Sequence, residues 1–283
     1  GCTVVASETI TAGPIVTANL DTELPECLAT NSFDFDATGS SLSPVGGGIY
    51  TWDFGDASGA GPSSTNGFDS QTHLYNAAGT YTVAVTVSDG TCQDVATTDV
   101  LVHAPPTVSL APTNLTCNGT FDGEIVATGA GGGGTYQYTW SGPGGFNGTN
   151  PSAGASDTEG NLEPGTYVVT VIDLNNCEGT ATVTLAEPAA ISVTASSSNP
   201  LCAGNLGTVS ASASGGDGGP YTYSWTGGLN PTGASQAAGD GAFTVVANDG
   251  NCTVSDVVTV TVPPVMTIDA TGTNPSCSYT TDG

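Results

Sequence analysis

The chain has 283 residues, 26 of them acidic, and it contains no Lys and no Arg, giving a formal charge of -26. Nothing in it can neutralise a phosphate backbone or favour docking on anionic lipid, which excludes a nucleic-acid surface and argues against membrane attachment by charge. Ion pairs to Lys or Arg cannot form, so cohesion must come from apolar burial, backbone ladders and disulfides, with the carboxylates as a solvated, self-repelling coat.

Good helix formers are scarce and Val/Thr alternation is frequent, so the elements read as strands. Gly1-Cys2-Thr3-Val4-Val5 resembles a closing strand, which makes residues 1–13 the expected last strand of a preceding repeat. Three units then follow, at 14–104, 105–187 and 188–262. Each opens with a short β-run after proline (Pro14–Ala18, Pro106–Leu110, Pro188–Val193) and a turn carrying a cysteine. An alternating strand comes next (Ser32–Phe35, Glu124–Ala127, Gly207–Ser210), then a Tyr-x-Trp strand ending at Trp52, Trp140 or Trp225. A regular Thr/Val strand closes each unit (Gly79–Val87, Gly165–Val171, Gly241–Val246) and passes through an Asp/Asn/Gly turn and a second cysteine into a final strand. In the first of these strands Tyr81, Val83, Val85 and Val87 share one face, as a half-buried antiparallel strand requires. Residues 263–283 look like the start of a following repeat. The expected fold is all-β, with tandem Ig-like β-sandwiches in a linear array and Trp52, Trp140 and Trp225 as core anchors.

The cysteines repeat with the units. Cys2 to Cys27, Cys92 to Cys117, Cys177 to Cys202 and Cys252 to Cys277 are each 25 positions apart, while the intervening stretches shrink from 65 to 60 to 50. A fixed spacing alternating with a variable one marks a tandem repeat with a constant junction and variable loops. Eight evenly placed cysteines also point to an oxidising compartment. Two pairings are open. One closes each unit on itself: Cys27–Cys92, Cys117–Cys177 and Cys202–Cys252. The other joins successive units: Cys27–Cys177 and Cys117–Cys252, with Cys2, Cys277 and the remaining cysteines reaching neighbouring repeats. In an Ig-like sandwich the two cysteines of one unit lie at opposite ends of a strand, ~20 Å apart, whereas a disulfide spans about 4.4–6.8 Å between Cα atoms. That geometry tilts the balance towards the second pairing, without closing the question.

The first unit resembles a PKD domain, on Tyr50-Thr51-Trp52-Asp53-Phe54-Gly55-Asp56, His73-Leu74-Tyr75 and Gly79-Thr80-Tyr81-Thr82-Val83. The second resembles the SprB-type repeats of Bacteroidota surface adhesins, on Cys117-Asn118-Gly119, Asp122-Gly123, Tyr136-Gln137-Tyr138-Thr139-Trp140, Leu162-Glu163-Pro164-Gly165-Thr166-Tyr167 and Asn175-Asn176-Cys177. The third is a divergent member, similar at Tyr221-Thr222-Tyr223-Ser224-Trp225 and Asp249-Gly250-Asn251-Cys252, with Cys202-Ala203-Gly204 in place of Cys-Asn-Gly. The resemblance implies an extracellular or cell-surface protein of the kind exported by the type IX system, serving as an adhesin, gliding filament or spacer arm.

Catalysis requires a tuned acid, base or nucleophile in a pocket. The only two histidines are His73, expected in a structural hydrogen bond, and His103, expected to face solvent at a junction. No Ser-His-Asp set can be assembled, and the Gly-rich stretch at 129–134 lacks the lysine of a phosphate loop. The expectation is no enzyme and no cofactor. Ca²⁺ is the one ligand left open, with Asp53 and Asp56 as weak candidates beside Asp34, Asp36 and Asp173. The alternative is that Asp53 and Asp56 cap the turn after the Trp strand.

The expected role, on this resemblance, is a segment of an extracellular filament or adhesin stalk with a mechanical role in adhesion or gliding. Its expected partners are neighbouring repeats of the same chain or filament, and surface glycans are further candidates; nucleic acid and direct membrane insertion are not expected. Two alternatives stand beside it: a carbohydrate- or Ca²⁺-binding spacer of a secreted hydrolase, and a self-assembling fibre subunit using strand complementation.

Overall fold

The computed structural model describes residues 15–42, 48–57, 64–65, 69–150, 154–227 and 233–272. The expected strand of a preceding repeat, Cys2 and Cys277 all lie outside the described residues. Residues 263–272 carry no strand, and Val265, Met266 and Ile268 there are exposed. No helix among the described residues is long and apolar enough to cross a membrane.

The first sandwich contains β1 (Glu26–Cys27), β2 (Phe33–Asp36), β3 (Ile49–Asp53), β4 (Ser64–Thr65), β5 (Ser70–His73), β6 (Gly79–Ser88) and β7 (Gln93–His103). Its sheets run β1-β7-β6-β3-β4 and β2-β5. Period-two alternation drives the packing: Phe33 and Phe35 from β2, Trp52 from β3 and Val83, Val85 and Val87 from β6 are all buried. β3 pairs antiparallel with β6, placing Trp52 opposite Val85. The opening run is not a full strand, since Thr17 makes only an isolated bridge to Ser41. Side chains take up the donors beside it: Ala18 N–H donates to Asp94 Oδ2 (2.9 Å) and Asn19 N–H to Ser40 Oγ (3.0 Å).

The middle sandwich contains β8 (Thr107–Thr113), β9 (Gly123–Ala130), β10 (Gln137–Ser141), β11 (Asn147–Asn150), β12 (Ser156–Leu162), β13 (Gly165–Ile172) and β14 (Glu178–Leu185), in sheets β11-β10-β13-β14 and β12-β9-β8. The third contains β15 (Ala189–Ser198), β16 (Gly207–Gly216), β17 (Thr222–Trp225), β18 (Ser235–Ala238), β19 (Gly241–Asn248) and β20 (Thr253–Val260), in sheets β15-β16-β18 and β17-β19-β20. In both, the Tyr-x-Tyr-x-Trp run is used alike. Trp140 and Trp225 are buried. Tyr138 and Tyr223 accept hydrogen bonds from the N–H groups of Gly129 and Ala213. Tyr136 and Tyr221 donate to the carbonyls of Gly131 and Gly215.

By contacts the chain forms two compact units. The first is built from Gly1–Pro112, Ile125–Glu159 and Thr166–Thr184, and the second from Thr113–Glu124, Gly160–Gly165 and Leu185–Gly283. The border runs through the middle repeat, not between repeats. One end of that repeat coheres with the first sandwich and the other with the third, so each unit encloses one junction.

Candidate functional site

Each compact unit holds one disulfide, and each disulfide joins two kinds of cysteine. The first kind sits in a turn ahead of the second strand. Thr30 N–H donates to the Cys27 carbonyl (3.0 Å), Thr120 N–H to that of Cys117 (3.3 Å) and Asn205 N–H to that of Cys202 (3.3 Å). The second kind follows a hairpin organised by an aspartate. Cys92, Cys177 and Cys252 each donate their N–H to Oδ1 of Asp89, Asp173 and Asp249 (2.8, 2.9 and 2.7 Å). In return the N–H of each aspartate donates to the carbonyl of its cysteine. The carboxylate replaces backbone partners that a short hairpin cannot provide.

In the first unit Cys27 bonds Cys177, with the Cα atoms 5.4 Å apart. β1 aligns parallel to the end of β7, Glu26 opposite Val102 and Cys27 opposite His103. Leu28 N–H donates to the His103 carbonyl (3.0 Å) and Ser32 N–H to Glu26 Oε2 (2.7 Å). Cys177 is fully buried. Asp173 Oδ1 also accepts from Asn175 N–H (2.9 Å), and Oδ2 from Gly133 N–H (2.7 Å). Burial alone would push the Asp173 carboxyl up; the donors from Gly133, Cys177 and Asn175, aided by nearby His103, outweigh it and hold the carboxyl below its ordinary range. His103 is therefore not the solvent-facing residue expected from sequence. It is half-buried in β7, because the parallel pairing with β1 continues to its position.

In the second unit Cys117 bonds Cys252, with the Cα atoms 5.8 Å apart. Gly119 N–H donates to Glu187 Oε2 (2.8 Å), Asn118 Nδ2 to the Pro188 carbonyl (3.2 Å) and Ala186 N–H to Asn114 Oδ1 (3.0 Å). These bonds tie the turn to the segment that leads into the third sandwich. Asp122 steadies the turn through the hydroxyls of Thr116 and Thr120, and these hydroxyls hold its carboxyl below the usual value. On the hairpin side, Asp249 Oδ2 accepts from Asp217 N–H (3.2 Å) and Asp217 Oδ2 from Asn251 Nδ2 (2.6 Å). Both disulfides thus lie between successive repeats. Cys27 lies opposite His103, at the far end of β7 from Cys92, and Asn199, three positions before Cys202, bonds Thr261 just past the far end of β20 from Cys252. Among the described residues Cys92 and Cys202 carry free thiols, the first half-buried and the second exposed.

The Ca²⁺ candidates are engaged otherwise. Asp53 Oδ1 accepts from Gly55 N–H (2.9 Å), capping the turn after β3, and Asp56 Oδ2 meets His73 Nε2 at 2.8 Å. His73 stacks on Phe54 with ring centroids 4.1 Å apart. Asp34 accepts from the Thr72 hydroxyl and Asp36 from Thr38 N–H. Among the described residues no three His, Cys, Asp or Glu side chains converge as a metal site would need.

What sequence reasoning missed is the shared role of Asp89, Asp173 and Asp249. The signal was present: an aspartate precedes the hairpin cysteine by three or four positions in every unit. Taken singly each aspartate reads as a turn or metal residue; only alignment of the repeats on that spacing brings the three together.

Three comparisons with known proteins place the chain by similarity. Residues 11–102 match the PKD domain, and residues 109–145 and 194–230 match the SprB repeat. No curated protein matches the chain. Among solved structures, the I-band fragment I67-I69 from titin is 13% identical, with a TM-score of 0.42 and coverage of 90% of this chain and 100% of that one. The full Ig1-Ig3 ectodomain of mouse nectin-like molecule 4 is 8% identical, with a TM-score of 0.38, covering 88% and 100%. The three N-terminal domains of the bacteriophage RB49 outer capsid protein Hoc are 16% identical, with a TM-score of 0.33, covering 89% and 100%. PKD and SprB repeats are typically non-catalytic structural modules, and with disulfides they suggest an extracellular repeat protein of adhesin type. In chain order, a stretch that matches the PKD domain is followed by two that match the SprB repeat.

Proposed function

We propose that this chain is a load-bearing segment of a bacterial cell-surface adhesin or gliding filament, exported by a Bacteroidota type IX system, with repeats at 14–104, 105–187 and 188–262. The observation that carries the reading is the route of the disulfides. Cys27–Cys177 and Cys117–Cys252 interlock along the sequence, so tension between Cys27 and Cys252 need not pass along the 225 positions that separate them. The shortest covalent path crosses both bridges and only the 60 residues from Cys117 to Cys177. A sandwich that lost its hydrogen bonds under load would still be held at that length. Such a device suits a tether pulled repeatedly outside the cell, where no chaperone refolds it.

Single-molecule extension tests this. With handles at the two ends, full extension under oxidising conditions stops at the bridged path. Reduction then adds the 165 residues that the bridges had removed, roughly 550–590 Å of contour. Extension to full contour without reductant would sink the reading.

A further inference from the structure

The two bonded pairs define a rule: a turn cysteine of one repeat takes the aspartate-organised hairpin cysteine of the next. Cys202 has the turn geometry of Cys27 and Cys117, with Asn205 N–H on its carbonyl. Its repeat also shares the surrounding brace. Thr261 N–H donates to Asn199 Oδ1 (2.9 Å), as Ala186 N–H donates to Asn114 Oδ1, and each asparagine lies three positions before its cysteine. Cys92 has the hairpin geometry of Cys177 and Cys252, with Asp89 taking the N–H groups of Thr91 and Cys92 (2.8 Å each). Exposure of a thiol alone would carry nothing. The independent observation is that the equivalent positions of both kinds are already bonded, twice, inside this same chain.

We infer that Cys202 and Cys92 are open halves of further joints of the same build, each closing on the complementary cysteine of another repeat, and that, because the two are of complementary kinds, a second copy of this chain can close both. The joint is directional: Cys202 takes a hairpin cysteine and Cys92 a turn cysteine, so copies add head to tail. This deepens the load-bearing reading and rests on it, since each added joint would extend the covalent path. The chemistry is thiol–disulfide exchange with a small-molecule disulfide such as oxidised glutathione. The Cys202 thiolate attacks the glutathione disulfide and releases one glutathione thiol. The Cys92 thiolate of the second copy then attacks Cys202 Sγ in the mixed disulfide and releases the other. Two protein thiols become one disulfide, and the two electrons and two protons end on two glutathione molecules.

The test uses the full chain with Cys2→Ser and Cys277→Ser, in a glutathione redox buffer. Products are read on a non-reducing gel and by peptide mapping with an Asp/Glu-specific protease, since the chain has no trypsin site. The parent is expected to give a ladder of multimers. Adding Cys92→Ser or Cys202→Ser should leave each protein monomeric when alone. Mixing those two variants should give dimers in which the Cys202 peptide is joined to the Cys92 peptide, exceeding either like-paired product by about tenfold. Both variants should keep Cys27–Cys177 and Cys117–Cys252. Absence of multimers, equal like-paired and cross-paired products, or a Cys92–Cys202 bond within one copy would overturn the inference. If multimers fail while extension of a single chain still stops at the 60-residue path, this inference falls and the load-bearing reading stands.

Discussion

Asp173 offers its carboxylate to three backbone N–H groups, those of Gly133, Asn175 and Cys177. Removing it would leave buried donors without partners at the hairpin that carries half of a disulfide. Asp173→Ala is expected to cost about 1.5–3 kcal/mol in urea-induced unfolding, the range for losing hydrogen bonds to a charged group. Asp173→Asn should cost less, because Oδ1 remains an acceptor while the amide cannot accept at its second position. A second test lies in the first sandwich, where Asn31 is buried. Its side chain donates to the carbonyls of Leu28 (2.7 Å) and Tyr75 (3.0 Å) and accepts from Tyr75 N–H (2.6 Å). Asn31→Ala should destabilise by about 2–4 kcal/mol through stranded backbone groups, while leaving both disulfides in place on a peptide map. Neither residue was legible as a structural centre in the sequence. Trp52, Trp140 and Trp225 were, because a large apolar side chain at a repeating position has few other uses. A polar residue that satisfies backbone groups reveals itself only once the neighbouring backbone is placed, which is also why His103 was misread as solvent-facing.

At the scale of elements, the strands follow from alternation and turn chemistry, and their order from the repeat. What alternation cannot show is how the end of one repeat meets the start of the next. In the first unit Gly179, early in β14, lies so close to the Pro106 carbonyl that an added Cβ would fall well inside contact distance. The neighbour is backbone at a proline and cannot swing away. In the second unit Gly215, at the end of β16 with φ +83°, lies equally close to the Ala190 carbonyl. Ala190 and Ile191 border the cleft at Cys117 and Cys252. Each glycine thus marks a close approach beside one disulfide. Gly179→Ala is expected to speed reduction of Cys27–Cys177 several-fold by a phosphine reductant and leave Cys117–Cys252 at its original rate. Gly215→Ala should do the reverse. Timed alkylation followed by mass spectrometry reads both rates in one sample. Equal acceleration of the two bridges would mean general loosening and would refute the local packing argument. Neither glycine is marked in the sequence, since closeness to a distant backbone leaves no local trace.

For the whole molecule, the absence of Lys and Arg means that carboxylates set the pH dependence almost alone. They divide into two sets of opposite sign. Asp36, Asp89, Asp122, Asp173, Asp249 and Asp256 are held below the ordinary value of 3.8, mostly by backbone or hydroxyl donors. Their stabilisation is present above that value and is lost as pH falls through the lowered folded values. Glu23 and Glu159 are pushed above 4.5, chiefly by burial and further by acidic neighbours. Their contribution is full below 4.5 and is lost as pH rises through the raised folded values. Repulsion within the charge of -26 acts in the same direction as the second set, growing as the remaining carboxylates ionise. Stability should therefore peak at mildly acidic pH, about 4.5–5, falling steeply on the acid side and gently towards neutrality. Salt screens the gentle limb more than the steep one, because exposed charges lose their interaction beyond a Debye length of about 8 Å at physiological ionic strength, while the donors at the hairpin tips are in direct contact. Thermal unfolding followed by circular dichroism from pH 2.5 to 8, at low and high sodium chloride, measures both limbs. Raising salt at pH 7 should raise the melting temperature by a few degrees and shift the optimum towards neutrality. A melting temperature that falls steadily from pH 7 to pH 4 at low salt would show that repulsion is negligible here, and that the hairpin and turn aspartates alone govern the response to acid.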